Sequence, residues 1–281
     1  MPAPAVIRTV AELRTLTAAW RAGGARIGLV PTMGALHEGH LELVRAARRH
    51  ADRVAVSIFV NPAQFAPTED LATYPRTFAA DLALLETLGA DLVWAPAASE
   101  MYPPGFATRV VPAGAADGLE SDVRPHFFGG VATVCCKLFT QVGPDVAVFG
   151  EKDYQQLCVV RQMVRDLDLP LAILGVPTVR EADGLAMSSR NRYLTAEERT
   201  VAPTIHRVIA AVAAAARTDA AAAALARGRR DLEAAGFKVD YLELRDAVTL
   251  APAAPGFAGP LRVLAAAWLG RTRLIDNVAV A

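Results

Sequence analysis

Two histidines lie three residues apart in the segment Pro31–His40, which reads P-T-M-G-A-L-H-E-G-H and lies between an apolar run and a helical pattern. On the first turn of a helix, His37 and His40 can point the same way, and the free N–H groups there attract phosphate. Gly34 and Gly39 have no Cβ, so a ligand can approach the backbone closely. An imidazole pair facing a phosphate can stabilise the charge that builds up as pyrophosphate leaves. The segment therefore predicts a nucleotide-phosphate site.

Two other interpretations of the histidines compete with this one. A zinc-binding helix of the H-E-x-x-H type needs histidines at i and i+4, whereas His37 and His40 are at i and i+3, which disfavours a metalloprotease. A histidine that only satisfies a turn is the better explanation for one isolated residue. Here two of the chain's five histidines fall in one glycine-containing turn, and this favours a functional role.

A second cluster, G-E-K-D-Y-Q-Q at Gly150–Gln156, also follows an apolar run and precedes a helical pattern. Lys152 can act as a point charge on phosphate, and Asp153 as a partner of magnesium or ribose or as a helix N-cap. Gln156 can act as a neutral reader of a ligand. Capping and surface charge explain the segment about as well, but its position at the end of a strand favours function.

A third cluster, M-S-S-R at Met187–Arg190, places small hydroxyl residues beside an arginine. Such a loop can close on a triphosphate and bring cationic charge to the transition state. An ordinary polar turn between two domains is the alternative, and the segment by itself does not decide between the two.

A fourth cluster, F-V-N-P-A-Q-F at Phe59–Phe65, combines neutral amides with aromatic rings. Asn61 and Gln64 suit a hydroxyl or carboxyl group in a pocket lined partly by those rings, and Tyr74 and Asp81 follow downstream. An Asn-Pro turn explains Asn61 but not Gln64. The cluster therefore predicts a site for a small polar substrate.

The elements that must position these clusters follow from the hydrophobic pattern. Up to residue 180, short apolar runs alternate with helical patterns, which predicts an α/β domain with a Rossmann-like doubly wound parallel sheet that binds ligands beyond the carboxyl ends of its strands. Residues 181–281 predict a second, smaller α+β domain. The predicted strands are 27–30, 54–60, 91–94, 145–149, 171–176, 239–244, 261–268 and 272–278, and the predicted helices are 41–50, 77–88, 131–141, 153–167, 195–216 and 219–235.

Composition narrows the functional classes. The chain has 281 residues, of which 53% are hydrophobic and 21% charged, and its 29 Lys and Arg balance its 29 Asp and Glu. A net charge of zero disfavours a duplex nucleic-acid binder. No signal-peptide pattern and no apolar stretch of about 20 residues is present, which predicts a cytoplasmic protein without a membrane segment. The three cysteines match neither a disulfide framework nor a C-x-x-C site and are predicted to be small buried thiols.

Several common motifs are absent from the sequence. It contains no G-x-x-x-x-G-K-[ST] loop, no G-x-G-x-x-G fingerprint and no G-x-S-x-G elbow. Their absence disfavours a P-loop kinase, an NAD dehydrogenase and a serine hydrolase. The remaining interpretation is nucleotide chemistry without a P-loop.

In combination, these motifs resemble those of the pantoate–β-alanine ligase family. The matching segments are P-T-M-G-A-L-H-E-G-H, F-V-N-P-A-Q-F, Y-P-R, F-G-E-K-D-Y-Q-Q-L, V-P-T-V-R-E-A-D-G-L-A-M-S-S-R-N-R-Y-L and T-R-L-I-D-N, spread from residue 31 to 277. The H-x-G-H element, of the HIGH type, is shared with a wider nucleotidyltransferase superfamily. The alternatives are another member of that superfamily and a nucleotide-sensing regulator with an inactive site.

The resemblance implies an ATP-dependent ligase that joins pantoate to β-alanine through pantoyl adenylate, with Mg²⁺, as a homodimer whose smaller domain acts as a lid. The implied ATP site comprises Met33, Gly34, Ala35, Leu36, His37, Glu38, Gly39, His40, Gly150, Glu151, Lys152, Asp153, Val179, Met187, Ser188, Ser189 and Arg190. The implied catalytic groups are His40, His37, Lys152 and Arg190. The implied substrate residues are Gln64, Gln156, Asn61 and Tyr74, and the implied magnesium ligand is Asp81.

One segment departs from the family pattern. The family commonly reads R-P-G-H-F-x-G-V before a helix, whereas residues 124–131 here read R-P-H-F-F-G-G-V. The histidine is thus one position closer to the N-terminus, at His126. The role of the family histidine is therefore not transferred to His126.

Overall fold

The computed structural model describes residues 3–66, 71–218, 220–254 and 256–281. The chain divides into two compact units. The first comprises the residues up to Glu151 together with Val159–Pro177, and the second comprises Lys152–Cys158 and Thr178–Ala281. The domain boundary predicted at residue 180 stays a prediction, and the unit that contains the C-terminus also includes the segment around Lys152.

The first unit is built on a parallel sheet of six strands in the order β1-β4-β3-β2-β5-β6. The strands are β1 (Ala5–Ile7), β2 (Ile27–Thr32), β3 (Arg53–Ile58), β4 (Leu92–Trp94), β5 (Val146–Gly150) and β6 (Ala172–Val176). The helices are α1 (Val10–Ala22), α2 (Glu38–His50), α3 (Phe78–Thr87), α4 (Ala98–Met101), α5 (Glu120–Val123), α6 (Phe127–Val142) and α7 (Tyr154–Asp166), the last of which begins in the second unit.

The sequence order of the strands reverses direction at β2. This strand pairs with β3 on one side and with β5 on the other, with Gly28 opposite Val146. In a doubly wound sheet, the crevice at such a switch point is where ligands bind, because the chain leaves the two strands in opposite directions. The switch point therefore lies where the turn after β2 and the end of β5 at Gly150 come together.

Burial explains why β2 and α2 form as predicted. Ile27, Leu29 and Val30 are fully buried, as a strand covered on both faces requires. Val44 and Ala47 share one buried face of α2, three residues apart, and pack in the same core as Val30. The apolar stripe of α2 thus holds the helix against the sheet and sets the direction of the turn that precedes it.

The second unit is an antiparallel sheet of three strands with helices. Its elements are α8 (Ala196–Val201), α9 (Thr204–Ala215), α10 (Ala221–Ala234), β7 (Phe237–Asp246), β8 (Leu261–Leu269) and β9 (Thr272–Ala279). Its core includes Ile205, Ile209 and Val263. The two units confirm the predicted fold class, a Rossmann-like parallel sheet with a smaller α+β C-terminal domain.

Several local expectations differ from the structure. The prediction lacked β1, α1, α4 and α5, and the helices predicted at 41–50 and 131–141 begin earlier, at Glu38 and Phe127. The predicted helix at 195–216 is divided into α8 and α9, since Pro203 has no N–H to continue the hydrogen-bonded ladder. The predicted helix at 219–235 begins in the structure at Ala221, and Asp219 lies outside the described residues.

Two further expectations concern thiols and membranes. Cys135 and Cys158 are buried free thiols as predicted, while Cys136 is only partly buried. Within the described ranges, the structure contains no helix with both the length and the apolar character needed to cross a membrane.

Candidate active site

The turn after β2 is built from main-chain groups that neighbouring side chains hold in place. Thr32 Oγ1 donates to the carbonyl of Ser57 at 2.6 Å and accepts the N–H of Gly34 at 3.2 Å. Gly34 has a φ of 84°, and a Cβ there would lie 3.1 Å from the carboxylate of Asp81. Ala35 also has a positive φ, of 52°. The turn is thus a strained backbone conformation that its surroundings maintain.

Asp81 of α3 is the residue that stabilises this turn. Its side chain is 2% exposed, and its two oxygens accept the N–H groups of Ala35 at 3.0 Å and Leu36 at 2.9 Å. Thr77 Oγ1 donates to the same carboxylate at 3.1 Å. The sequence assigned this carboxylate to magnesium, and that assignment stays a prediction. In the structure, Asp81 already binds the main chain of the predicted phosphate site.

The two histidines form a reciprocal cap at the start of α2. His37 Nδ1 accepts the N–H of Gly39 at 3.2 Å, and His40 Nδ1 accepts the N–H of His37 at 3.4 Å. Because each Nδ1 acts as an acceptor, this hydrogen bonding assigns the proton of each neutral ring to Nε2. The ring centroids are 4.2 Å apart. Each imidazole therefore carries its donor N–H on Nε2. Glu38, which lies between the two histidines, forms an ion pair with Arg45 on the same helix.

Gln64 belongs to a buried chain of hydrogen bonds in the first unit. Asn61 Nδ2 donates to Gln64 Oε1 at 3.0 Å and to the carbonyl of Gly130 at 3.2 Å, and Asn61 Oδ1 accepts the hydroxyl proton of Tyr102 at 2.7 Å. Gln64 Nε2 lies 3.2 Å from Met33 Sδ. Since the carbonyl of Gly130 can only accept, the orientation of both amides is determined. Gln64 thus directs its NH₂ group towards Met33, a residue of the predicted ATP site.

Asn61 itself is 1% exposed, and its amide is fully used within the protein. Besides the bonds above, its Oδ1 accepts the N–H of Ala63 at 3.2 Å. The close packing of Gly130 supports this arrangement, because a Cβ there would lie 2.7 Å from Gln64 Cα and still closer to the carbonyl oxygen of Ala63. Asn61 therefore fixes the position of Gln64. Tyr74, also a predicted substrate residue, is buried against the ring of Phe65, with ring centroids 6.0 Å apart.

In the second unit, Lys152 follows Glu151, the first residue after β5 ends at Gly150. Lys152 Nζ lies 3.7 Å from the carboxylate of Asp153, whose side chain is 49% exposed. Lys152 and Asp153 lie in a 3₁₀ turn, and Gln156 is partly buried on the first turn of α7. The lysine is thus a partly buried cation beside an exposed carboxylate.

The loop with Met187–Arg190 belongs to a short antiparallel hairpin of the second unit. Met187 N–H donates to the carbonyl of Val179 at 3.0 Å. Ser188 is the N-cap of a 3₁₀ turn that starts at Ser189, and its Oγ accepts the N–H of Arg190 at 3.2 Å. The hairpin therefore orders the main chain that carries the two serines and the arginine.

Two side chains that the sequence analysis did not single out hold this hairpin. The guanidinium of Arg180 forms two hydrogen bonds with the carboxylate of Asp276 in β9, at 2.7 and 2.9 Å. Asn191 Nδ2 donates to the carbonyl of Ala186 at 3.1 Å. Burial acts to raise the pKa of Asp276, which is 2% exposed, but the adjacent His206 and Arg180 outweigh burial and hold that pKa below its ordinary value.

The titratable groups around Tyr102 favour their neutral forms. Burial, together with a smaller contribution from Cys135, raises the pKa of Tyr102 to about 12. Burial, with a smaller contribution from Cys136, raises the pKa of Cys135 to about 12. Tyr102 is therefore a hydrogen-bond donor to Asn61 throughout the neutral range, and Cys135 is not a nucleophile.

The structure thus assembles each predicted cluster within its own unit. The first unit brings Met33 and Gln64 together and links the main chain at 34–36 to Asp81. The second unit holds Lys152 and the loop at 187–190 on the same sheet, through neighbouring residues of β9. That the two sets surround one triphosphate stays a prediction.

Besides Arg180 and Asn191, the structure gives a role to Tyr102, Asp276 and Asn277, to which the sequence analysis assigned none. The sequence offers a signal for two of them, because D-N interrupts an apolar strand pattern. Successive side chains of a strand point to opposite faces of the sheet. Two adjacent polar residues therefore lie in two different environments, and each needs its own explanation. Tyr102 has no comparable local signal. Within the described ranges, no cluster of three His, Cys, Asp or Glu residues forms a metal cage.

Comparisons with known proteins cover almost the whole chain. The sequence model of the pantoate-beta-alanine ligase family matches residues 5–279. A pantothenate synthetase of Bradyrhizobium sp. (strain BTAi1) is 58% identical over 279 residues, with 99% of each chain covered. A pantothenate synthetase of Caulobacter vibrioides is 56% identical over 288 residues, with 100% of each chain covered.

Two solved structures are also similar. A pantothenate synthetase from Thermus thermophilus has a TM-score of 0.89 at 48% identity, with 98% of this chain and 99% of that chain covered. A pantoate-beta-alanine ligase from Francisella tularensis, complexed with beta-gamma ATP and beta-alanine, has a TM-score of 0.84 at 33% identity, with 99% of this chain and 98% of that chain covered.

Proposed function

The chain belongs to the pantoate–β-alanine ligase family, and on this premise we propose how its own residues carry out the reaction. The protein condenses pantoate with β-alanine to pantothenate and uses ATP as a substrate. The observation that carries the residue-level proposal is the turn after β2, where Asp81 holds the main chain of Ala35 and Leu36 in place next to the histidine cap.

In the first step, a carboxylate oxygen of pantoate attacks the α-phosphorus of ATP. A new P–O bond forms as the bond to pyrophosphate breaks, which gives pantoyl adenylate. The substrate supplies the nucleophile, so the protein has only to position the reactants and stabilise charge.

The histidine cap supplies hydrogen bonds to the phosphates. With each Nδ1 engaged by a main-chain N–H, His37 and His40 donate from Nε2. A donor at fixed geometry stabilises the negative charge that grows on the departing pyrophosphate without reorganisation. His40 is proposed as the main donor and His37 as both donor and N-cap.

Gln64 reads pantoate through its NH₂ group. Asn61 engages Gln64 Oε1, so the remaining donor is Nε2, near Met33. An N–H donor matches the carboxylate or hydroxyl oxygens of pantoate. Gln156 is proposed as the second pantoate reader, and Tyr74 as part of the substrate pocket.

Cationic charge comes from Lys152 and Arg190. Lys152 acts as a point charge on the triphosphate, and Arg190 adds a planar guanidinium from the ordered loop that also carries Ser188 and Ser189. Both groups stabilise the phosphate charge that increases in the transition state. Their meeting with His40 around one triphosphate is the central part of the proposal.

Magnesium is proposed to enter with ATP. Mg²⁺ keeps several waters and typically binds through one or two carboxylates plus substrate phosphates. The exposed carboxylate of Asp153, beside Lys152, suits this role, whereas both oxygens of Asp81 already accept main-chain N–H groups. When bound, the ion neutralises part of the triphosphate charge.

In the second step, the amine of β-alanine attacks the acyl carbon of pantoyl adenylate. The amide bond forms, the acyl–phosphate bond breaks, AMP leaves and the amine loses a proton. The family resemblance supports two further proposals: the protein works as a homodimer, and residues 181–281 act as a lid. The net charge of zero and the lack of an apolar stretch of about 20 residues support a cytoplasmic protein with neither nucleic acid nor a membrane as a partner.

Oxygen transfer tests the chemistry of the first step. With pantoate labelled with ¹⁸O in its carboxyl group, ATP, Mg²⁺ and β-alanine, we expect one ¹⁸O atom in each AMP and one AMP per pantothenate. AMP without ¹⁸O would contradict attack by the carboxylate. Transfer of the nucleotide to pantoate without amide formation would indicate another transferase of the superfamily, and ATP binding without AMP would indicate a regulator.

A further inference from the structure

Asn277 of β9 forms a direct contact with the main chain of Lys152. Its side chain is 3% exposed, and Nδ2 donates to the carbonyl oxygen of Lys152 at 2.9 Å. The two residues are distant in sequence but belong to the same compact unit. The lysine segment is thus anchored on the antiparallel sheet of the second unit.

The orientation of the Asn277 amide follows from its two neighbours. Asn277 Oδ1 accepts Nε–H of Arg262 at 2.6 Å, and Nδ2 faces the Lys152 carbonyl. A guanidinium can only donate and a carbonyl can only accept, so a flipped amide would lose both bonds. The amide therefore has one stable orientation, with its donor directed to Lys152.

A second anchor acts two residues further along the chain. The Arg262 guanidinium lies 3.7 Å from the centre of the Tyr154 ring, and the hydroxyl of Tyr154 donates to the carbonyl of Ala247 at 2.8 Å. Arg262 contacts both Asn277 and Tyr154. One buried group of side chains thus holds the main chain at Lys152 and the ring at Tyr154 together.

The position of the main chain at Lys152 matters because the side chain itself is flexible. The lysine side chain has a flexible four-carbon stem. Its ammonium group therefore reaches a phosphate reproducibly only if the main chain at Lys152 is fixed in position. A displacement of about 1 Å in a positioned group can cost about 100-fold in rate.

We propose that Asn277 is a positioning residue that holds Lys152 for its contact with the triphosphate. The proposal rests on the role given to Lys152 in the proposed function. It assigns a function to the asparagine that closes the T-R-L-I-D-N segment. Asn277 acts through Lys152 and touches no substrate atom.

A double-mutant cycle separates this role from a general contribution to folding. The variants are Asn277→Asp, Asn277→Ala, Lys152→Ala and each Asn277 variant combined with Lys152→Ala. Asn277→Asp retains the shape and the acceptor for Arg262 but replaces the donor to Lys152 with an oxygen. The readouts are pantoate-dependent exchange of labelled pyrophosphate into ATP, the KM for pantoate and the melting temperature.

We expect each Asn277 variant to lower the maximal exchange rate about 10- to 100-fold, with the KM for pantoate within about 2-fold of wild type. In the Lys152→Ala background, the same changes should cost no more than about 2-fold further. Losses that multiply in the double variants, or Asn277 variants that exchange at the wild-type rate, would overturn the proposal.

Two comparisons make the result specific. Asp240→Asn breaks a different ion pair of the same sheet, with Arg273 of β9 at 2.7 Å, and should leave exchange unchanged. Wild-type exchange in Lys152→Ala would refute the proposed role of Lys152 and this inference with it. A slow Lys152→Ala with multiplying losses would refute only the inference. If Asn277→Ala fails to fold, the isosteric Asn277→Asp decides.

Discussion

The carboxylate of Asp81 accepts the main-chain N–H of Ala35 at 3.0 Å, although the two residues lie in different elements. Ala35 has a φ of 52°, which costs free energy for any residue with a Cβ, so the turn needs this contact to persist. A side chain of α3 thus determines the shape of the turn after β2.

Asp81→Asn should therefore weaken both the turn and ATP binding. The amide retains one acceptor but places an NH₂ group against a main-chain N–H, so one buried donor loses its partner. We expect a loss of about 1–3 kcal/mol in the free energy of unfolding, measured by urea denaturation, and a higher KM for ATP. Glu86→Gln, an exposed position on the same helix, is the control. An unchanged KM for ATP would contradict the role given to Asp81.

His40→Ala should affect chemistry far more than stability. Its imidazole is proposed to donate from Nε2 to the leaving pyrophosphate, so its removal should slow pantoate-dependent pyrophosphate exchange about 10²- to 10³-fold. The cap contributes only about 1 kcal/mol to folding. His50→Ala at the other end of α2 should leave exchange unchanged. If His40→Ala instead unfolds the protein while His50→Ala does not, the histidine is a structural cap.

Gly130→Ala should disturb Gln64, the residue proposed to bind pantoate. A Cβ at this position would lie 2.7 Å from Gln64 Cα, so the segment with Asn61 and Gln64 must shift. We expect the KM for pantoate to rise about 10-fold or more, by analogy with other small displacements in active sites.

The neighbouring glycine provides a matched control for this substitution. At Gly129 the nearest contact for a Cβ is the carbonyl of Val110 at 3.9 Å. Gly129→Ala in the same helix should therefore leave the KM for pantoate unchanged and stabilise the protein by about 0.5–1 kcal/mol. Equal effects of the two substitutions would show that the contact with Gln64 is not important.

Asp276 should make stability depend on pH in the acid range. Its pKa is lowered in the folded state, so the charged carboxylate stabilises the protein above the ordinary value of 3.8, and this stabilisation is lost as the pH falls through the lower folded-state pKa. Asp276→Asn should lower the free energy of unfolding by about 3 kcal/mol at neutral pH, because Arg180 loses its buried partner.

The dependence of the free energy of unfolding on pH in the acid range tests the role of Asp276 specifically. In urea denaturation below pH 4, Asp276→Asn should lose less stability with falling pH than wild type does. Asp183→Asn removes one of the two carboxylate partners of Arg199 in a partly exposed group and should cost less than about 1 kcal/mol. Parallel pH profiles for wild type and Asp276→Asn would contradict the account of this ion pair.

Local sequence patterns were sufficient for the elements with strong periodicity. The buried run from Ile27 to Val30 and the stripe of α2 identify both elements and the turn between them, because burial on a regular period is a local signal. The strand Ala5–Ile7 was missed: it has three residues and none of them is buried, whereas Leu92–Trp94, of the same length, is fully buried. The break at Pro203 was missed, because the predicted helix ran unbroken over 195–216, although proline interrupts the helical ladder.

The candidate site likewise contains residues that local sequence patterns identified and residues that these patterns missed. The types and spacing of His37 and His40 suggested a phosphate site because both residues lie in one turn. Tyr102 contacts Asn61 from 41 residues away and Asp276 contacts Arg180 from 96 residues away, and such pairs form only when the chain has folded. Residues that position others through long-range contacts therefore leave little local trace.

Pantoate-dependent exchange of labelled pyrophosphate into ATP, in the absence of β-alanine, tests the central claim most directly. If His40, Lys152 and Arg190 act on one triphosphate, wild type should exchange the label only when pantoate is present. Lys152→Ala and Arg190→Ala should each slow that exchange about 100-fold or more while remaining folded. Exchange that requires β-alanine, or wild-type exchange in both variants, would contradict the account.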